Sequence, residues 1–115
     1  MNAQIHQVGN KEITEIVTDT VIKNTQDAVD LLGSAGNAYV ILYDRNFEPD
    51  FFDLSTRKLG EILQKFANYQ VKLAIVGDFE KYPSKTLKEF IFESNRQGDY
   101  LFVASVEDAI ERWSR

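Results

Sequence analysis

Two stretches, AYVILY at residues 38–43 and VKLAIVG at 71–77, are apolar almost without interruption, and each precedes a segment whose apolar residues recur every three to four positions. A strand with one wet face alternates apolar and polar residues. A run that does not alternate must be covered on both faces, which is the condition of a central strand in a parallel sheet. The helical cover is legible in the same way. After the first run, Leu59, Ile62, Leu63 and Phe66 fall at i, i+3, i+4 and i+7; after the second, Leu87, Phe90 and Ile91 share one side of PSKTLKEFIFESNRQG. A third run, YLFVA, is followed by SVEDAIERWSR, where Val106, Ala109, Ile110 and Trp113 form the last inward stripe. Strands alternating with amphipathic helices dictate an α/β fold.

Upstream, AQIHQV and EITEIV flank GNK, in which Gly9 and Asn10 can take positive φ, so this segment reads as a hairpin. Its register stays open, because Ile5 and Val8 do not share strict alternation. In the second arm Ile13 and Val17 share one face and Ile16 takes the other. NTQDAVDLLGSAGN predicts a short helix with Asn24 or Thr25 as N-cap, Asp27 near its positive end, Ala28, Leu31 and Leu32 inward, and Gly33 or Gly36 to stop it. Ser84 and Ser105 are placed to cap the two later helices, the second as a capping box with Asp108 in the place of Glu, and Gly98 lies beyond the end of the first of them. The order is ββαβαβαβα: an N-terminal hairpin joined to a mostly parallel sheet with helices packed on it. Right-handed crossovers make the three later strands parallel. No repeat, low-complexity tract or linker divides residues 1–115.

At 115 residues the chain is one ordinary domain that buries roughly two-thirds of the surface exposed by its unfolded form. The absence of cysteine removes thiol nucleophiles, zinc-thiolate centres and disulfide scaffolds, and fits a reducing compartment. With neither a secretion signal nor a run of about 18 apolar residues, the expected location is the cytoplasm, away from any membrane. Thirteen Lys and Arg against eighteen Asp and Glu give a net charge of −5 with scattered basic residues. Nucleic-acid binding is therefore not expected, since it rests on a concentrated basic surface.

The stretch FFDLSTRKLGEILQKF holds the strongest candidates for a working surface, because ligand and partner sites of open α/β sheets gather beyond strand ends and at helix starts. Asp53 or Ser55 serves as the N-cap of the second long helix. Gly60 would cost that helix about 1 kcal/mol relative to alanine, which close approach of helix to sheet would offset. Arg45, Arg57 and Lys58 could meet an anion there, although solvation is their ordinary state. Asp44, Glu48, Asp50, Asp53 and Asp78 are oxygen ligands of the type that hold Mg²⁺ or Ca²⁺, but their spacing matches no EF-hand loop and solvated carboxylates are expected. Phe47, Phe51, Phe52 and Tyr43 flank the loop; core packing is the default for each, and any that stay exposed would mark a protein contact. His6, the only histidine, reads as structural or superficial. No phosphate-binding GxxxxGK or GxGxxG run occurs, and no metal or cofactor is expected.

PDFFDLSTRKLGEILQKFANYQVKLAIVGDFEKY, with the following FIFESN, resembles the uncharacterised bacterial family called domain of unknown function 4180 over nearly the whole chain. That resemblance implies no activity. More distantly, the element order and a hydroxyl-bearing helix start resemble STAS domains of the anti-sigma-factor antagonist type. This implies a phosphorylation switch, with Ser55 or Thr56 in DLSTRKLG as acceptor. The stretch lacks the first glycine of the Asp-Ser-Ser-Gly-Leu-Gly pattern and carries Arg57 and Lys58 instead.

The expectation is a noncatalytic regulatory or protein-binding module whose surface comprises Asp44, Arg45, Phe47, Asp50, Asp53, Ser55, Thr56, Arg57 and Lys58. Its partner is another protein, with a homodimer through the hairpin's edge strand as a further arrangement. The alternative is a small enzyme or ligand-binding protein with a carboxylate-lined pocket for a small anion or a metal, in which Asp44, Asp50, Asp53 and Asp78 converge on one cavity.

Overall fold

The alternation of apolar runs and stripes resolves into one sheet. A computed structural model of the chain describes residues 2–35 and 38–115. Among these residues five strands, β1 (Asn2–Val8), β2 (Lys11–Val17), β3 (Tyr39–Tyr43), β4 (Lys72–Val76) and β5 (Tyr100–Val103), lie side by side in chain order. β1 and β2 are antiparallel, and β2 through β5 are parallel. The helices α1 (Thr25–Ala35), α2 (Lys58–Asn68), α3 (Lys85–Gln97) and α4 (Val106–Trp113) complete the expected order ββαβαβαβα. None of the described helices is long and apolar enough to cross a membrane.

Strand order dictates where the helices go. Each parallel crossover advances one strand in the same direction, so right-handed connections place α1, α2 and α3 on one face. The core on that face joins Ala28 and Leu31 of α1, Leu59, Ile62, Leu63 and Phe66 of α2, and Leu87 of α3 to Ile16, Val40, Leu42, Leu73, Ile75 and Phe102 of the sheet. On the opposite face only α4 remains, and Ala109 and Trp113 cover Ile13, Ile41, Ala74, Val76, Leu101 and Val103. Ile13 and Ile16 thus take opposite faces, as their spacing requires.

One helix about 10 Å wide cannot span five strands spaced about 4.8 Å apart. The α4 face is therefore open over β1 and the Val17 end of β2, while Ile13 and Glu15 stay buried. Cross-strand partners share a face, and the pairs there are Asn2 with Val17, Gln4 with Glu15, and His6 with Ile13.

The caps follow the residue chemistry. Asn24 accepts from Asp27 N–H at 2.9 Å, Ser84 from Leu87 N–H at 3.1 Å, and Ser105 from Asp108 N–H at 3.0 Å. At the hairpin Gly9 takes φ 59 and Asn10 does not take a positive φ, the pattern of a two-residue turn with glycine in the first central position.

Three local expectations are corrected. α1 continues through Gly33 to Ala35, and Gly36, the other proposed stop, lies outside the described residues. α2 begins at Lys58 rather than at Ser55, because residues 54–56 close a tighter 3-10 turn first. Gly60 is exposed, and a Cβ built on it would meet nothing within 4 Å, so close approach to the sheet is not its reason.

Candidate functional site

The segment from Asp44 to Arg57 links β3 to α2 through three 3-10 turns, Asp44–Asn46, Pro49–Phe52 and Leu54–Thr56. Its aromatic residues turn inward. Phe47, Phe51 and Phe52 are 3%, 1% and 2% exposed, so Phe47 is removed from the surface on which it was placed. The reason is chemical. A phenylalanine in a short loop beside an apolar layer gains more by burial than the loop loses in bending. Phe52 sits at the centre, with ring centroids 6.1 Å from Phe47, 5.6 Å from Phe79 and 5.3 Å from Tyr82.

Asn46 fastens the base of the loop. Fully buried, it accepts from Tyr43 N–H at 2.9 Å and donates to the carbonyls of Thr18 at 2.9 Å and Thr20 at 3.1 Å. Its own carbonyl accepts from Ile22 N–H at 2.7 Å. The connection between β2 and α1 is thereby sewn to the loop after β3.

On this foundation the polar residues are displayed. Asp53 accepts from Ser55 N–H at 3.1 Å and from the Ser55 hydroxyl at 2.7 Å, and those two bonds hold its carboxyl below the usual range. Asp53 therefore caps the 3-10 turn, not α2. The Thr56 hydroxyl lies within bonding distance of the Asp50 and Asp53 carbonyls, at 3.0 and 2.9 Å. Arg57 takes a left-handed φ of 64, and helical geometry begins after it. Lys58 pairs with Asp50 at 2.6 Å, a bond that raises its pKa, and stands 3.9 Å from Glu48. Arg45 is exposed with its guanidinium 4.3 Å from the centre of the Tyr43 ring.

Asp44 leans the other way. It pairs with Lys81 at 3.2 Å and passes so close to Gly77 that a Cβ there would meet the Asp44 carboxyl carbon at 2.6 Å. Only glycine permits that approach.

The four candidate carboxylates are thus engaged separately: Asp44 with Lys81, Asp50 with Lys58, Asp53 with Ser55, and Asp78 with Glu80 N–H at 3.2 Å. Asp78 borders a depression of about 460 Å³ with Phe79, Asn95 and Phe102 at the ends of β4 and β5. Among the described residues no three His, Asp or Glu side chains are grouped to hold a metal ion.

A second polar constellation escaped the sequence reading. On the α4 face, at the margin of the part that α4 leaves open, Glu15 is only 8% exposed. It takes a hydrogen bond from the Tyr43 hydroxyl at 2.5 Å and meets His6 Nε2 at 2.9 Å. Burial pushes the Glu15 carboxyl up, but the bonds from Tyr43 and His6 outweigh it and leave the pKa lowered from its ordinary 4.5. Burial first, then the bond to Glu15, pushes the Tyr43 phenol from 10.0 up to about 12. The signal was available in the two-residue turn. Counting back from Val8 opposite Lys11 sets Gln4 opposite Glu15 and His6 diagonal to it.

The signs of these shifts differ. A phenol whose pKa rises on folding contributes stability below pH about 10 that is lost as pH climbs toward 12; a carboxyl whose pKa falls contributes stability above pH about 4.5 that is lost on acidification. Removing the Tyr43 hydroxyl with Tyr43→Phe is expected to lower stability by about 1–2 kcal/mol at neutral pH, by leaving a carboxylate oxygen without its donor. The difference from the native chain should narrow between pH 10 and 12. Urea midpoints for both chains across that range check this; a constant difference contradicts the Glu15–Tyr43 bond.

No curated protein and no solved structure matches the chain. A family profile does so across residues 8–113, a span that takes in every helix, the four parallel strands and the loop from Asp44 to Lys58. The chain therefore belongs to the family described as Domain of unknown function (DUF4180).

Proposed function

We propose that this chain is a noncatalytic, regulatory protein-binding module of the bacterial cytoplasm, STAS-like in architecture, that meets its partner through the turns between β3 and α2. The observation that carries the reading is the contrast within one short segment. Phe47, Phe51 and Phe52 anchor it in the core, while Arg45, Asp53, Ser55 and Arg57 remain exposed. A polar surface held on a rigid base loses little conformational entropy when a partner docks. The proposed surface comprises Arg45, Asp50, Asp53, Ser55, Arg57 and Lys58, with Asp44 at its margin.

Within this reading Ser55 is the better phospho-acceptor. Its residue is exposed and its hydroxyl makes one bond, to Asp53, whereas the Thr56 hydroxyl is engaged with two backbone carbonyls. A phosphate at Ser55 would repel Asp53 and attract Arg57, reshaping the turn.

Site-specific photo-crosslinking in the native cytoplasm tests the surface. A crosslinker at position 55 is expected to trap a discrete protein adduct, and one at Glu89 on α3 to trap none. Arg45→Ala with Arg57→Ala should reduce the adduct at least tenfold while far-UV circular dichroism stays unchanged. Equal adducts at both positions would remove the basis for this surface. Intact mass of the natively purified chain, compared with Ser55→Ala, reports phosphorylation directly.

A further inference from the structure

The two edges of the sheet are finished differently. Along β5 the outward backbone is already bonded: Asn95 donates to the Phe102 carbonyl at 3.0 Å and accepts from Phe102 N–H at 2.8 Å, and the Ser94 hydroxyl donates to the Tyr100 carbonyl at 2.5 Å. α3 thus closes that edge with side chains. Among the described residues β1, at the opposite edge, pairs with β2 alone in a register that runs without a bulge from Asn2 opposite Val17 to Val8 opposite Lys11. Its sequence, NAQIHQV, contains no Lys, Arg, Asp, Glu, Pro or Gly. Those are the devices by which edge strands resist pairing.

The turn also determines which backbone groups β1 presents outward. A two-residue turn is flanked by a hydrogen-bonded pair, so Val8 bonds Lys11, and alternation gives the same role to His6 and Gln4. Ala3, Ile5 and Gln7 therefore point N–H and C=O away from the sheet. Ile5, at the midpoint, is 52% exposed.

We propose that β1 pairs antiparallel with β1 of a second copy of this chain about a two-fold axis at Ile5, joining the two sheets into one. The strand is self-complementary in that register. Ile5 meets the partner's Ile5, and Ala3 lies opposite the partner's Gln7. All three outward residues then exchange backbone hydrogen bonds across the axis. On the other face His6 lies opposite the partner's Gln4, so no like charges meet even though each chain carries −5. The axis brings two half-exposed isoleucines together and removes both from water. This surface lies apart from the β3–α2 turns and does not depend on their role.

Two variants test the pairing. Ile5→Lys puts a charge at the axis and leaves the hairpin ladder intact. By sedimentation equilibrium the native chain is expected at twice the monomer mass at micromolar concentration and above, and Ile5→Lys at the monomer mass with unchanged circular dichroism. The chain has no cysteine, so a single one reports cleanly. A hydrogen-bonded antiparallel pair has its Cα atoms about 5.5 Å apart, within disulfide range. Ile5→Cys is expected to form an intermolecular disulfide under mild oxidation at least tenfold faster than Gln7→Cys, which the register holds away from its own twin. A monomeric native chain, a dimer that survives Ile5→Lys, or equal crosslinking at positions 5 and 7 would each overturn the proposal.

Discussion

Phe52→Ala is expected to destabilise the protein by about 3–5 kcal/mol, the range for truncating a buried aromatic side chain. The ring is 2% exposed and touches three others, Phe47 from its own loop and Phe79 and Tyr82 from the turn after β4. Its removal deletes apolar contact and leaves a void between two loops that have no direct ladder to close it. Domains of this size are stable by only about 5–15 kcal/mol, so a large share would be lost. Phe52→Leu, which keeps much of the volume, should cost about half as much. Phe92→Ala, at a ring 71% exposed, should change stability by no more than about 0.5 kcal/mol. Urea unfolding of the three variants checks the order. A loss at position 52 no larger than at position 92 would show that the aromatic cluster does not hold the loop.

Asn46→Ala is expected to cost about 3 kcal/mol. Alanine would leave the Tyr43 N–H and the carbonyls of Thr18 and Thr20 without the partner they have, and each buried polar group so orphaned costs about 1–3 kcal/mol before water or relaxation reduces the sum. Asn46→Asp separates this account from one of volume alone. The carboxylate keeps an acceptor for Tyr43 N–H but sets a negative oxygen against two carbonyl oxygens, so it should be at least as damaging as alanine despite its near-identical shape. Equilibrium unfolding at neutral pH decides. An aspartate variant within 0.5 kcal/mol of the native chain would exclude the side-chain network as the fastening.

Much of this architecture was legible from residue periods. The run from Ala38 to Tyr43 had to be covered twice, and the structure buries Val40 and Leu42 against three helices and Ile41 against α4. Cap chemistry at Asn24, Ser84 and Ser105 was local and therefore readable. The start of α2 was not, because Asp53 and Ser55 suit a 3-10 turn as well as a helix. What separated the two was the inward pull on Phe51 and Phe52, which forces the chain to turn again at Arg57 before the helix can begin. Phe47 was misplaced for a related reason. Among DRNFEPD its neighbours are polar, and only the bridge from Ile22 to Phe47 and the packing below it reveal a buried site. The Glu15, Tyr43 and His6 group depended on hairpin register and on β3 lying beside β2, a pairing between residues 28 positions apart.

Composition and spacing alone determined an α/β chain of this element order, its inward stripes and the caps at Asn24, Ser84 and Ser105, since each is a property of neighbours within about one or two turns of backbone. The tertiary structure decided that strands follow one another in chain order, that three helices share a face and leave the other half open, and that aromatic loop residues turn inward while Arg45, Ser55 and Arg57 stay out. Those outcomes depend on contacts between segments far apart in sequence, where burial and hydrogen-bond satisfaction outweigh local preference.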